Sequence, residues 1–465
     1  MVTLFDGLQT AANALKATGQ ALAVSEMNLT NEGVTGYARQ NVSFTADAFN
    51  PTLGFSGGVQ MQVQSARSQY AEQGVWSQNS QKGYFESFTQ QASGVAQVLG
   101  LNDVSGSTGI PGTLAALYQS FSQLQQGATS SVNQENVLQS ARGLALQISQ
   151  TAEYLQGSAA SAQSQIQTTV EQVNQLVSTV HQWNTQIKSG ATANPLAEAG
   201  IYSSLETLSG LVPITAQKQA DGTLTILMNG QTPLASGVET YKLSTSFVPP
   251  DGSAPFPDAS ASLHILTSQG QDVTDSITGG QLGGLLNYTN HFLPSLLGDA
   301  NQQGDLNTLA TSLADSVNGA LGGSTPIFQY DQSNSGNAAR SLTVTAGLKA
   351  SDLSASLGAN PGAAQTLAQI ASGTNATNQI DGASYTDFLT GLSGRTNTVL
   401  NNQQQGVDLH TQLLNQAQTV RSRIQGSSLE QDAVELLQYQ RSFQAAAKMV
   451  SVIDEMTQTA INMVS

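Results

Sequence analysis

Residues 429–464 read LEQDAVELLQYQRSFQAAAKMVSVIDEMTQTAINMV. Leu429, Leu436, Phe443, Val450 and Val464 recur every seven positions, with Thr457 interrupting the row, and Tyr439, Ala446, Ile453 and Ala460 line the neighbouring row. A seven-residue apolar period buries a narrow seam of one helix against another. The other end of the chain carries the same period: Leu8, Leu15, Leu22 and Leu29 are spaced by sevens, with Leu4, Ala11 and Thr18 at the alternate positions. Each stripe needs a partner, and the simplest partner for one terminus is the other. The sequence therefore predicts a terminal coiled coil from residues 1–36 and 427–465, set apart by Gly33, Gly36 and Gly426, with the function to be sought there.

Inward from these ends the pattern changes. Period-2 alternation at Val42, Phe44, Val59, Met61 and Val63 predicts an extended pair around a Gly-rich turn at 54–58. Helix is expected at about 66–99, then a loop at 102–112 and a short helix. From 133 to 188 a single helix of roughly 80 Å is expected at ~1.5 Å per residue. Its stripe is Ile166, Val170, Val173, Val177, Val180 and Ile187, with Asn184 as the polar member. Beyond Asn194-Pro195, residues 211–275 read as strands, with Asp221-Gly222 between Ile214–Gln219 and Thr223–Met228 as a hairpin turn. Pro249 to Pro257 reads as an exposed loop. Helix is expected again over 282–320, a strand pair at 327–330 and 342–345, a short helix at 361–372, and a long helix over 396–425. The fold class is mainly α with a β-rich insertion: terminal coiled coil, a long-helix bundle (37–194 with 285–426), and an outer β-rich domain (195–284).

Composition narrows the function. The 465 residues suffice for two to four domains. Only 10% are charged, against a typical ~25%. Such a surface stays soluble without strong fields, which suits a subunit packed against many copies of itself. Net charge is −16, and residues 189–394 hold fifteen acids against four bases, −11 of that total. No basic patch exists for phosphates, so nucleic acid is not an expected partner. With no cysteine, disulfides, thiolate zinc sites and cysteine nucleophiles are excluded. No apolar run approaches ~18 residues, so no membrane span is expected. No basic region followed by an apolar run opens the chain, so no cleavable signal peptide is expected. A membrane-surface role is disfavoured too, since Lys16 is the only cation before Arg39.

Chemistry is sparse. Gly54-Phe55-Ser56-Gly57-Gly58 matches G-x-S-x-G, but that motif needs a helix directly after it, and strand-like alternation follows here. His181, His264, His291 and His410 are dispersed without metal spacing. No phosphate loop or dinucleotide fingerprint occurs. No catalytic residue, metal or cofactor is expected.

Asn28-Leu-Thr-Asn31 followed by Gly36-Tyr37-Ala-Arg39-Gln40 resembles the bacterial flagellar rod–hook family. Asn28, Asn31, Gly36 and Tyr37 match its motif, while Val34-Thr35 stands where Thr-Pro is usual. Arg39-Gln40 resembles the hook-associated subgroup that joins hook to filament. Gly279-Gly280-Gln-Leu-Gly283-Gly284, Leu306-Asn-Thr-Leu-Ala310, Leu436-Leu-Gln-Tyr439-Gln440, Phe443-Gln-Ala445 and Ile453-Asp-Glu-Met456 resemble further family segments in order, with Ala460-Ile461 where a leucine pair is usual. The resemblance implies a structural subunit exported unfolded by the flagellar type III route. Its implied partners are its own copies in a helical ring, the hook protein, a second junction protein, and a cytoplasmic export chaperone at the C-terminal helix. A hook or distal-rod subunit is the alternative, and a secreted serine hydrolase using Ser56 a remote one.

Overall fold

The computed structural model describes residues 2–46, 49–50, 55–56, 59–100, 108–190, 194–248, 262–299, 301–322, 326–373 and 376–464. The loop expected at 249–257, most of the turn at 54–58 and much of the loop at 102–112 lie outside these residues.

One helix organises the body. Ser131–Lys188 runs 58 residues, about 87 Å at ~1.5 Å per residue. The Ser130 side chain caps its start by accepting from the Asn133 amide at 3.4 Å, and Gly190 in the left-handed region (φ 87°) follows its end. No proline interrupts it. Two separate cores are built on it. Val137, Leu144, Ile148 and Leu155 pack with the helices Gly109–Gln126 and Asp305–Ala320 and with the short elements between 327 and 392. Ile166, Val170, Val173, Val177 and Val180 pack with helix Pro195–Leu211 and an antiparallel sheet.

That sheet is a meander of Ile214–Lys218, Leu224–Met228, Thr232–Ser236 and Glu239–Thr240. Ile214 pairs with Met228, and the Asp221 carboxylate accepts from the Thr223 amide at 3.0 Å to close the expected hairpin. Leu224, Ile226 and Met228 are buried while Thr225 and Leu227 are not, the alternation of a half-buried strand. Asn184, the polar member of the helical stripe, is fully buried. Its Nδ2 donates to the carbonyls of Leu224 (2.8 Å) and Gly237 (2.7 Å), and its Oδ1 accepts from the Leu224 amide (2.7 Å). It ties the helix to two strand ends.

The structure corrects three expectations of local structure. Residues 195–211, expected to open the β-rich region, form a helix: Asn194 caps it through the Leu196 amide at 2.9 Å, and Pro195 supplies the first-turn φ. The helix expected over 282–320 is broken. Gly280–Asn287, a π-helical turn Tyr288–Phe292 and Leu293–Leu297 end at Gly298, and a new helix starts at Asp305 after Gly304, both glycines at positive φ. The last body helix starts at Tyr385, where Ser384 caps it through the Asp387 amide, eleven residues earlier than expected, and runs to Gln425.

Candidate assembly site

The first helix, Val2–Thr30, packs against the last, Leu429–Val464. A Cβ on Gly7 would lie 3.9 Å from Ile453, and one on Gly19 would lie 3.2 Å from the Phe443 ring, so the two helices run antiparallel. On the last helix the inward faces are those read from the sequence: Ala446 is buried, and Leu436, Tyr439, Val450, Ile453, Thr457 and Ala460 are half-buried. Phe443 is 37% exposed at the edge. Leu429 and Ile461 are exposed, contrary to expectation. In this antiparallel register Leu429 falls beyond the end of the first helix and Ile461 beyond its start.

The first helix presents a different row from the leucines. Ala11, Ala21, Ser25 and Asn28 are buried and continue the spacing through Ala14 and Thr18. Leu8, Leu15, Leu22 and Leu29 lie one position over and are only half-buried. Small residues at the centre let two helix axes approach closely, which displaces the leucines to the flank.

The far face of the last helix is uncovered. Val434, Leu437, Met449, Val452, Met456 and Met463 are 45–81% exposed and make a second apolar stripe. The strand pair Gln40–Ala46 and Val59–Ser65 leans on the helix pair. Its Val42↔Val63 and Phe44↔Met61 pairs share one face, and Phe44 meets Tyr439 edge-on at 6.0 Å. Phe44, Val59 and Val63 stay exposed.

The motif residues build the joint between helix pair and body. Asn28 is buried, and its Oδ1 accepts from Tyr37 Oη (2.7 Å) and the Gln40 amide (2.9 Å), while its Nδ2 donates to Gln40 O (2.9 Å). Burial, reinforced by the Asp432 carboxylate, pushes the Tyr37 phenol up to about 12, so it remains the donor. Asn31 accepts the Val34 amide and donates its Nδ2 to Met27 O, and the turn forms without the proline usual in the family. Gly36 has φ 79° and lies against Ala199 O, where no side chain has room. Arg39 spans to the last helix, with Nε to Asp432 at 3.0 Å and Nη2 to Glu435 at 2.7 Å, and its amide donates to Gln425 O at 2.9 Å. The Asp432 side chain is fully buried.

Sequence reasoning missed a second cluster. Glu72 is 1% exposed and accepts from Arg67 (2.6 Å), Gln425 Nε2 (2.7 Å) and Arg421 (3.3 Å), while Arg421 also reaches Glu206 at 2.7 Å. Arg67 donates to Gly36 O at 2.7 Å and lies 3.7 Å from the Tyr202 ring centre. The segments that link helix pair, strand pair and body, 31–39, 66–68 and 426–428, converge here. Asp432 could have been found, because a charge stands where the inward row continues one step before Leu436. Glu72 gives no such sign.

Among the described residues of this region no reactive constellation forms. A cleft of about 620 Å³ beside the 31–37 turn is lined by Glu206, Gln418, Arg421 and Gln425; Gln418 and Arg421 donate to Glu206, and Gln425 donates to Glu72. Among the described residues no three His, Cys, Asp or Glu could hold a metal ion. Ser56 lies in a strand paired with Phe49, not at a strand-to-helix turn. No helix among them is long and apolar enough to cross a membrane.

Residues 99–323 match the family model of the flagellar hook-associated protein FlgK helical domain. Residues 428–463 match that of the flagellar basal body rod FlgEFG protein C-terminal. The chain is 25% identical over 99% of both lengths to flagellar hook-associated protein 1 of Bacillus subtilis (strain 168). Among solved structures, the flagellar hook junction protein FlgK from Burkholderia pseudomallei aligns with 56% of this chain and 46% of its own, at 20% identity and a TM-score of 0.45.

Proposed function

We propose that this chain, similar along its whole length to a flagellar hook-associated protein, is a structural component of the bacterial flagellum that forms the joint between hook and filament by ringing copies of itself through the paired terminal helices. The observation that carries this reading is the two-sidedness of the last helix. One face closes on the first helix of the same chain, and the opposite stripe from Val434 to Met463 is left without cover. An uncovered apolar row of this length marks a protein-binding surface. Contacts between copies run head to tail, which generates helical rings. The assembly unit is residues 1–36 with 427–465, carrying a helical body and the β-rich part near 212–284.

Hook protein on one side and a second junction protein on the other are the proposed neighbours. Before export, a cytoplasmic chaperone covers residues 429–464, whose apolar stripe would otherwise aggregate, and the chain leaves through the flagellar export route. The test is electron microscopy of cells lacking the gene, with flagellin assayed in the medium. Intact hooks without filaments, with monomeric flagellin released, are expected. Absent hooks would move the protein to the rod or hook, and normal filaments would overturn the reading.

A further inference from the structure

Sulfur is confined to methionine in this chain, which has seven methionines and no cysteine. Three of the seven, Met449, Met456 and Met463, lie on the last helix and are spaced by sevens. Seven residues make nearly two turns of helix, so the three side chains stand one above another in a row. They are 59%, 55% and 81% exposed, and Val452 beside them is 45% exposed. This row is the C-terminal part of the uncovered stripe. Other described methionines are sheltered: Met228 is fully buried in the sheet, and Met27 and Met61 are half-buried. Accessible sulfur is therefore gathered on the surface assigned to assembly. An exposed thioether meets dissolved oxidants freely, and its sulfoxide is polar where the thioether was apolar.

We propose that Met449, Met456 and Met463 form a peroxide-sensitive modification site, and that their oxidation to sulfoxides keeps a chain from entering the junction. The inference rests on the junction reading above and adds a control on it. Each step moves one oxygen atom from hydrogen peroxide to sulfur. The S–O bond forms as the O–O bond breaks, and sulfur gives up two electrons. The remaining peroxide oxygen takes them and, after a proton shifts to it from the transferred oxygen, leaves as water. The new S–O dipole accepts hydrogen bonds from water, and covering it in an apolar interface without a donor is unfavourable. Residues 449–464 hold two acids and no base, so the segment has no Lys or Arg of its own to bond a sulfoxide oxygen. The three sulfurs act together, because a neighbour covering the stripe meets all of them within about 21 Å of helix. The site is open only until the stripe is covered, so the oxidant acts on the unassembled chain.

The test is hydrogen peroxide treatment of the full chain, then seating on isolated hooks. Peptide mass spectrometry, reading one added oxygen per methionine, should show Met449, Met456 and Met463 oxidising at least about tenfold faster than Met228. The oxidised chain should seat at least about tenfold less often than untreated chain, counted by immunogold labelling. Sulfoxide reductases of both epimer specificities should restore seating. A triple variant, Met449→Leu with Met456→Leu and Met463→Leu, keeps apolar groups of similar volume without sulfur and should seat equally before and after peroxide. Undiminished seating of a chain carrying all three sulfoxides would overturn this inference and leave the junction reading standing. So would oxidation no faster than at Met228, or an equal loss in the treated triple variant. If the triple variant fails to seat even untreated, the reductase arm decides, and a loss it does not reverse overturns the inference. Untreated chain that never seats on hooks would overturn both readings.

Discussion

Arg39→Met should detach the terminal helix pair from the body without unfolding the body. The guanidinium holds Asp432, whose side chain has no exposure, and Glu435, which is one-third exposed. Removing one partner of a buried pair leaves the other charge uncompensated, at about 3–5 kcal/mol. The Glu435 contact, partly in water, contributes at most ~1 kcal/mol. Taking ~3 kcal/mol, opening of the joint should become about a hundredfold more frequent. Hydrogen exchange reads this directly. The residue 39 amide bonds Gln425 O, and the Gln40 amide bonds Asn28 Oδ1, so both open only when the joint opens. Amides of the long helix near Ile148 and Val177 should keep their protection. Arg39→Met combined with Asp432→Leu removes both charges and should recover most of the loss, because apolar groups of similar volume often replace a buried pair without penalty. If Arg39→Met changes exchange at 39 and 40 by less than threefold, or if the double variant is no better than the single, the joint is not held by this pair.

Glutamate at Ala21 or Ala446 should abolish incorporation at the junction while the circular dichroism of the body persists, since each buries an unpaired charge in the helix seam; incorporation counted by immunogold labelling checks it. Gly36→Ala should lower stability by several kcal/mol, because φ 79° is strained for alanine and the added carbon meets Ala199 O; a thermal melt shift of under 1 °C would refute it. Asn184→Ala should cost about 1–3 kcal/mol by orphaning the Leu224 amide and two carbonyls, read as earlier melting of the β-rich part. Tyr37 has its folded value raised above the unfolded one, so its contribution is whole below pH 10 and is lost as pH rises toward about 12. Protection at Gln40 should fall across that window, and Tyr37→Phe should remove the dependence.

Much of this architecture was legible. The stripe from Ile166 to Ile187 repeats for long enough that only a helix satisfies it, and the exception at Asn184 is the residue that ties helix to sheet. Asp221-Gly222 sets the first turn of the meander because few residues other than glycine adopt the φ of 83° at Gly222. The helix over 195–211 was obscured by its Gly and Ser content, and its cap was the readable sign. The break between Gly298 and Gly304 lay hidden in a leucine-rich run whose spacing continues across it. On the last helix both period and register were correct; on the first the period was correct and the leucine row was off by one. Periodicity reports which face is apolar, but the buried row of the first helix is built on small residues, Ala11 and Ala21, not on the leucines. The Glu72 cluster was illegible because Glu72 and Gln425 stand 353 residues apart, and no local pattern links its members.

The 58-residue helix has a mechanical consequence. It belongs to both cores at once and passes from one to the other between Ala162 and Ile166 without a proline or a glycine pair. Two bodies joined by a linker would twist or fold against each other under torque; two bodies clamped along one continuous beam share its bending stiffness. Compliance is thereby confined to the linking segments 31–39, 66–68 and 426–428. A part that couples two unlike rotating tubes would then flex at one collar, and above that collar it would turn as a single piece.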